Sequence, residues 1–374
     1  MIVLLVNASI DPITGGGTAT RTVQLARSIQ KDGKVECIIL STDQGLDETS
    51  KQQYSDLNTV LLPCLNDRFY IPYFSWAKLK GLVEKIDVIH LMSHWTIINA
   101  IIYLLARQLN KPYTFCPAGA LHIFGRSALL KNLYNLFIGK NLIKNASQCI
   151  AITNLEKNDF LDFNVQEELI SVIPNGIDEK AFCPNIEASN AFKNTFGLQK
   201  APYILFMGRL NLIKGPDILL KAYIKLSLEF PTLHLVFAGP DEGLGDQLRK
   251  EIKKVSLENR IHLIGYIEGY DKVGAYTGAE FLVVPSRREA MSIVALEAGA
   301  CGTPVLLTTE CGFDEVKEVG CKVVPPIANE LYNAMVSMLS SSKSLRTLGK
   351  DLRNLILDRY LWQKTAEQYL KLPH

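Results

Sequence analysis

Two glutamates eight positions apart, Glu289 and Glu297, bracket what reads as the start of a helix. The apolar run Phe281-Leu282-Val283-Val284 has the pattern of a buried parallel strand. Pro285 ends it, and a short polar loop carries Glu289. Ser292 then stands at an N-cap position, ahead of a predicted helix running from Ile293 through Glu297 to Gly299. One carboxylate therefore lies at the carboxyl end of a strand and the other about a turn into the next helix. In open α/β sheets ligands bind in that crevice. Free N–H groups at the helix start suit a phosphate, and the carboxylates can accept hydrogen bonds from sugar hydroxyls. The combination predicts a holder for a sugar nucleotide. Spacing alone favours two solvated glutamates, so neighbouring motifs must decide.

Upstream, the strand pattern Tyr203-Ile204-Leu205-Phe206-Met207 runs into Gly208-Arg209-Leu210-Asn211-Leu212-Ile213-Lys214-Gly215. Arg209 and Lys214, flanked by glycines, can converge on one diphosphate, the first as a planar fork and the second as a compact charge. Standing alone, the segment would read as a surface turn with two basic residues. Together with the paired glutamates and Ala298-Gly299-Ala300-Cys301-Gly302-Thr303-Pro304-Val305, it resembles the signature of retaining GT-B glycosyltransferases of family 4 (glycosyl transferases group 1). The resemblance implies that Arg209, Lys214 and Glu289 are catalytic. Arg209 and Lys214 would hold the donor diphosphate beside Gly208, Glu289 the sugar hydroxyls and Glu297 the ribose. Backbone N–H groups of Met291, Ser292 and Ile293 would contact sugar or phosphate, and Gly265 and Tyr266 would border the base. It also implies front-face transfer without a side-chain nucleophile, the leaving phosphate helping to remove the acceptor proton.

A glycine run, Gly15-Gly16-Gly17, separates the first predicted strand from the first helix. Such a run lets backbone approach a ligand, although a flexible turn fits as well. By resemblance Gly16 and Gly17 face the donor diphosphate or the acceptor. The run is not the dinucleotide fingerprint G-x-G-x-x-G, and no Walker A lysine follows, so a nicotinamide dehydrogenase and a P-loop ATPase are both disfavoured. Many relatives carry Pro-His-Gly after the fourth strand; here the segment is Pro117-Ala118-Gly119. With Ala118 in place of that histidine, His94 and His122 are the remaining acceptor-side candidates. No Asp-x-Asp pair occurs, so neither a metal nor another cofactor is expected. Two alternatives stay open: a sugar-nucleotide epimerase on the same fold, and an inactive sugar-nucleotide-binding partner subunit.

Short apolar strands alternate with helical patterns in two series along the chain. The first contains Ile2–Val6, Val35–Leu40, Val88–Leu91, Tyr113–Cys116, Cys149–Thr153 and Leu169–Ile173. The second contains Tyr203–Met207, Leu233–Ala238, Ile261–Ile264, Phe281–Val284, Val305–Thr308 and Lys322–Val324. Such alternation predicts an α/β fold with parallel sheets covered by helices, hence two Rossmann-like domains. By resemblance these face each other across a cleft. They are an acceptor-side domain, 1–174, completed by a C-terminal helix at about 358–374, and a donor-binding domain, 175–357. Pro174 and Asn175-Gly176 mark the boundary.

The 374 residues suffice for about two domains, and 48% hydrophobic with 21% charged content is that of a globular protein. A net charge of +2 argues against nucleic acid as the main partner. Eight cysteines without regular spacing read as reduced thiols of a cytoplasmic protein. The first residues lack the basic start of a signal peptide, and no run approaches the ~18 apolar residues of a membrane span. From Val88 to Leu155 there is no Asp or Glu, while Arg107, Lys111, Arg126, Lys131, Lys140 and Lys144 are present. Leucines and aromatics interleave with these bases. The pattern suits either an ordinary core-packed helix or peripheral contact with the anionic inner face of the plasma membrane. Tyr70, Tyr73, Phe74 and Trp76, near Lys78 and Lys80, form a second aromatic-basic stretch. The expected partners are a nucleotide-sugar donor and a glycan or lipid-linked acceptor of cell-surface polysaccharide synthesis.

Overall fold

The computed structural model describes residues 1–121, 123, 127–198, 201–341 and 344–373. The chain divides into two units, Met1–Gly176 with Trp362–His374 and Ile177–Leu361.

In the first unit a parallel sheet is built from β1 (Ile2–Ser9), β2 (Glu36–Thr42), β3 (Asn58–Leu62), β6 (Val88–Met92), β7 (Tyr113–Cys116), β8 (Gln148–Ala151) and β9 (Ile170–Val172). A small antiparallel pair, β4 (Cys64–Asn66) and β5 (Ile71–Pro72), lies outside it. The sheet order is β3-β2-β1-β6-β7-β8-β9. Leu4, Leu5, Val6, Leu40, Ile89, Leu91 and Phe115 are fully buried, as strands covered by helices on both faces require. β3 was not anticipated. It is an edge strand only half buried, so it lacks the continuous apolar run that marked its neighbours. β8 stops at Ala151 because Thr153 is already the cap of the helix Asn154–Asp162, its hydroxyl accepting from the N–H of Glu156.

The second unit repeats the plan with β10 (Tyr203–Met207), β11 (His234–Ala238), β12 (Ile261–Gly265), β13 (Phe281–Val284), β14 (Val305–Thr308) and β15 (Lys322–Val324). Their order is β12-β11-β10-β13-β14-β15, and every recorded pairing is parallel. In each sheet one strand marks the place where the order reverses, β1 beside β6 and β10 beside β13. There the outgoing connections run to opposite faces and leave a crevice at the carboxyl ends.

The first unit closes around a buried arginine. Arg21, on the helix Gly16–Gln30, is 1% exposed. Its guanidinium donates to the Asn175 side-chain oxygen at 2.7 Å, the Ile173 carbonyl at 2.8 Å and the Tyr369 hydroxyl at 3.1 Å. One side chain thereby ties the first helix to the end of β9 and to the C-terminal helix Trp362–Leu370. Arg21→Met keeps the aliphatic stem but loses all three bonds. The expected cost is about 3 kcal/mol, lowering Tm by roughly 6–12 °C for a unit of this size. Calorimetry showing Tm unchanged within a degree would remove Arg21 from this role.

Candidate functional site

The loops that follow β10 and β13 meet at the strand-order reversal of the second unit. Pro285 ends β13, and Ser286 beneath it is fully buried, its carbonyl accepting from the Thr308 hydroxyl at 2.5 Å. Glu289 is fixed twice, once from the segment after β14 and once within its own loop. Its N–H donates to the Glu310 carbonyl at 2.8 Å, and its Oε2 accepts from the Ser286 hydroxyl at 3.0 Å. The other oxygen, Oε1, receives Lys214 Nζ at 2.8 Å, the two side chains being 12% and 23% exposed. The structure thus brings together two of the residues singled out from sequence.

Close backbone approach holds these loops in place. Gly215 has φ +70°, and a Cβ there would stand 2.1 Å from the Pro285 carbonyl oxygen. A Cβ on Gly239 would stand 2.0 Å from the Gly208 carbonyl oxygen. Across the same junction the Arg287 N–H donates to the Ile213 carbonyl at 2.8 Å. The Arg287 guanidinium reaches the Leu212 carbonyl at 2.5 Å and forks onto Asp217 at 2.8 and 2.6 Å. Burial pushes the Asp217 carboxyl up, but the bidentate arginine outweighs it and holds the group below its ordinary range. This pair was not foreseen; its members lie 70 positions apart, with no local pattern linking them.

Ser292 caps the helix Ile293–Ala300, its hydroxyl accepting from the Ala295 N–H at 3.3 Å. Met291 and Ser292 are buried and Ile293 half-buried, so the first-turn backbone sits at the end of β13, where the helix dipole favours an anion. Glu297, one turn on, is 5% exposed. Lys272 Nζ lies 2.8 Å from each of its oxygens, and the Tyr276 hydroxyl donates to Oε2 at 2.6 Å. Burial, with Glu297 beside it, raises the Tyr276 hydroxyl well above its ordinary pKa. Lys272 and Tyr276 were missed. Their four-residue spacing places them on one helical face, and that was the available signal.

Arg209 leaves the same loop in another direction. It is half exposed and pairs with Glu242 at 3.1 Å, whose second oxygen accepts from the Asn211 side chain at 2.8 Å. Tyr266 follows the edge strand β12, half exposed, its hydroxyl donating to Glu268 at 3.0 Å. Both share the carboxyl edge of the sheet with Lys214 and Glu289 but are not in contact with that pair among the recorded bonds.

In the first unit, Gly16 and Gly17 open the helix that follows β1. The glycine that sterics demand is their neighbour Gly15, where a Cβ would meet Ala19 Cβ at 2.7 Å and the Ser9 carbonyl at 2.8 Å. Gly16 has open space but needs φ +58°. Ala118 sits after β7 with φ +49°. Beside it the Gly119 N–H donates to Glu156 Oε1, while Oε2 accepts from the Ile152 N–H at 2.7 Å. His94 does not stand open as an acceptor-side group. It is 3% exposed, packed among Trp95, Phe115 and Tyr134, with Nε2 2.9 Å from the Asn135 side-chain oxygen. Burial pushes its pKa down to about 4, so it is neutral near pH 7. His122 lies outside the described residues.

Two family models match the chain: Glycosyltransferase Family 4 over residues 15–181 and Glycosyl transferases group 1 over residues 189–354. Among curated proteins, an uncharacterised glycosyltransferase of Methanocaldococcus jannaschii is 26% identical over 98% of this chain and 96% of its own length. The D-inositol 3-phosphate glycosyltransferase of Corynebacterium jeikeium is 30% identical, over 46% of this chain and 44% of its own. Among solved structures, Anabaena HepE in complex with UDP superposes with TM-score 0.81 at 18% identity, covering 99% of each chain. At that identity the likeness concerns the fold.

Glu156 gives this geometry a pH signature. It is 3% exposed, and burial raises its pKa to about 7, above the ordinary carboxyl value. The folded chain therefore keeps a proton that the unfolded chain releases. The corresponding stability is complete below the unfolded pKa and is lost as pH rises through about 7. Between about pH 5 and pH 8 the wild-type Tm should fall more steeply than that of Glu156→Gln, which does not titrate. Parallel profiles would contradict a buried, proton-holding Glu156.

Proposed function

We infer the activity from one premise: the chain belongs to the group 1 glycosyltransferases of family 4, on the GT-B fold. Its specific reaction is the transfer of a hexose from a nucleotide-diphosphate sugar, with retention, to a glycan acceptor carried on a lipid, in cell-surface polysaccharide synthesis. The observation that carries this reading is the Lys214–Glu289 contact at the reversal between β10 and β13.

The donor diphosphate takes Lys214, assisted by Arg209 and the first turn of the helix Ile293–Ala300. An ammonium only 23% exposed on its side chain interacts with an anion more strongly than one in open water. Glu289, released from Lys214 but still held by Ser286, accepts from donor-sugar hydroxyls. Glu297 accepts from the ribose while Tyr276 keeps its carboxylate oriented. During transfer the bond from the anomeric carbon to the phosphate oxygen breaks, and the acceptor oxygen bonds to the same face. The acceptor proton passes to the leaving phosphate. The residues contribute positioning and stabilisation of the departing charge, with no metal in the scheme.

A thermal-shift panel of UDP-, GDP-, ADP- and TDP-sugars, run in EDTA, tests the donor site. Uridine nucleotides come first, because HepE is solved with UDP and with UDP-glucose. One nucleotide class should raise Tm by several degrees, and Glu297→Ala should abolish the shift. A panel without any shift would overturn the donor site, and a shift that appears only with added Mg²⁺ or Mn²⁺ would overturn metal independence.

With an acceptor in hand, Lys214→Ala should lower kcat/KM at least tenfold, about 1.4 kcal/mol. Near-wild-type kinetics would remove Lys214 from the diphosphate.

A further inference from the structure

The helix Ala128–Tyr134, a π-helical stretch Asn135–Gly139 and the helix Lys140–Lys144 form one continuous run. Its inner side is apolar in the usual way, with Leu142 and Ile143 buried and Ile138 packed against the core. Its outer side is apolar too. Leu129, Leu130, Leu133, Leu136 and Phe137 are 80, 53, 49, 65 and 72% exposed. A helix apolar on both sides needs a partner on each, and a contiguous exposed apolar face marks an interaction surface.

The segment cannot simply roll these side chains inward. The buried Asn135 side-chain oxygen accepts from Trp95 Nε1 at 3.0 Å and lies 2.9 Å from His94 Nε2. The Tyr134 hydroxyl donates to the Thr96 carbonyl at 3.3 Å. These bonds lock the rotation of the run and hold the leucines toward solvent.

Charge decides among occupants. Past Phe137 the same outer side continues as Lys140 and Lys144, both exposed. No acid occurs in the sequence from Val88 to Leu155. A two-fold contact between copies sets a patch against itself, so these lysines would meet lysines or leucines rather than a carboxylate. An anionic bilayer offers both complements, acyl chains for the leucines and phosphates for the lysines.

We propose that the outer face of Ala128–Lys144 docks the first unit on an anionic lipid surface. Leu133, Leu136 and Phe137 enter the headgroup–acyl boundary, and Lys140 and Lys144 lie at the phosphates. Among the described residues no helix is long and apolar enough to cross a membrane, so the contact is interfacial. It rests on the transferase reading only for its purpose, which is to bring the chain to a lipid-linked acceptor.

The test is co-sedimentation of the full chain with phosphatidylcholine vesicles, with and without about a quarter phosphatidylglycerol. The anionic vesicles should take up the protein and the neutral ones should not. K140Q/K144Q should weaken partition about tenfold, and L133S/F137S at least as much. Tm and nucleotide-sugar thermal shift, measured on the same samples, should match wild type in both variants. Because Tm reports folding and the thermal shift reports the donor site, failure of the donor reading leaves the docking result standing, and the reverse. Wild-type protein left in the supernatant with both vesicle types would overturn the proposal. So would unchanged partition of L133S/F137S. Concentration-dependent self-association abolished by L133S/F137S, with no lipid uptake, would instead assign the face to a second copy.

Discussion

At the carboxyl end of the second sheet, three strand-end loops lie backbone against backbone, with no volume for a side chain at two of the contacts. Gly239 admits the carbonyl of Gly208, and Gly215 admits that of Pro285. The loops after β10, β11 and β13 are consequently positioned to within the tolerance of a methyl group. Everything chemical in this unit hangs from them. Lys214 is one residue before Gly215, Arg209 one residue after Gly208, and Glu289 four residues after Pro285. The parallel sheet creates the crevice, but these glycine contacts set how closely its walls approach.

Positioning on this scale leaves the polar groups paired in a graded way. Arg287 and Asp217 form a bidentate contact whose carboxylate is only 9% exposed on its side chain, and breaking it would leave a charge stranded. It serves as a structural rivet between two loops. The pairs Lys214–Glu289 and Arg209–Glu242 are single contacts, the first largely covered and the second about half exposed. Exposed pairs such as Arg209–Glu242 stabilise by only about 0–1 kcal/mol, whereas separating the covered Lys214–Glu289 pair requires another anion on the lysine. In Lys272–Glu297–Tyr276 the carboxylate is the most covered of these, 7% exposed on its side chain. The tyrosine fixes the carboxylate, and the lysine balances its charge.

The strands were legible because buried parallel strands write themselves as uninterrupted apolar runs, as in Leu205, Val236 and Val283. β3 was not, because an edge strand exposes half its residues and lacks the run. Lys214, Glu289, Ser292 and Glu297 were legible through their fixed offsets from strand ends. Their partners were not. Lys272 and Tyr276 reach Glu297 from another helix, and Asp217 and Glu242 reach Arg287 and Arg209 from other segments; no local spacing links the two sides of such contacts. In the first unit the glycine run was legible, but which glycine is sterically required was not. That depends on Ala19 and Ser9 approaching Gly15 in three dimensions. His94 reads in sequence like a free histidine beside a strand end. Its burial comes from Tyr134 and Asn135, forty positions later, closing over it. In sequence the leucines of Ala128–Lys144 suit either a core-packed helix or a membrane-facing one, and the locked rotation of the run is what turns them to the surface.

The central claim is that the β10–β13 reversal binds a nucleoside diphosphate through Lys214 in exchange for Glu289. The most direct measurement is a crystal structure of the chain with the nucleotide sugar that stabilises it most. The account predicts diphosphate oxygens within hydrogen-bonding distance of Lys214 Nζ, the ribose on Glu297, and the 2.8 Å contact between Lys214 and Glu289 broken. A nucleotide bound elsewhere, or one bound here with the Lys214–Glu289 pair intact and no phosphate on the lysine, would contradict it.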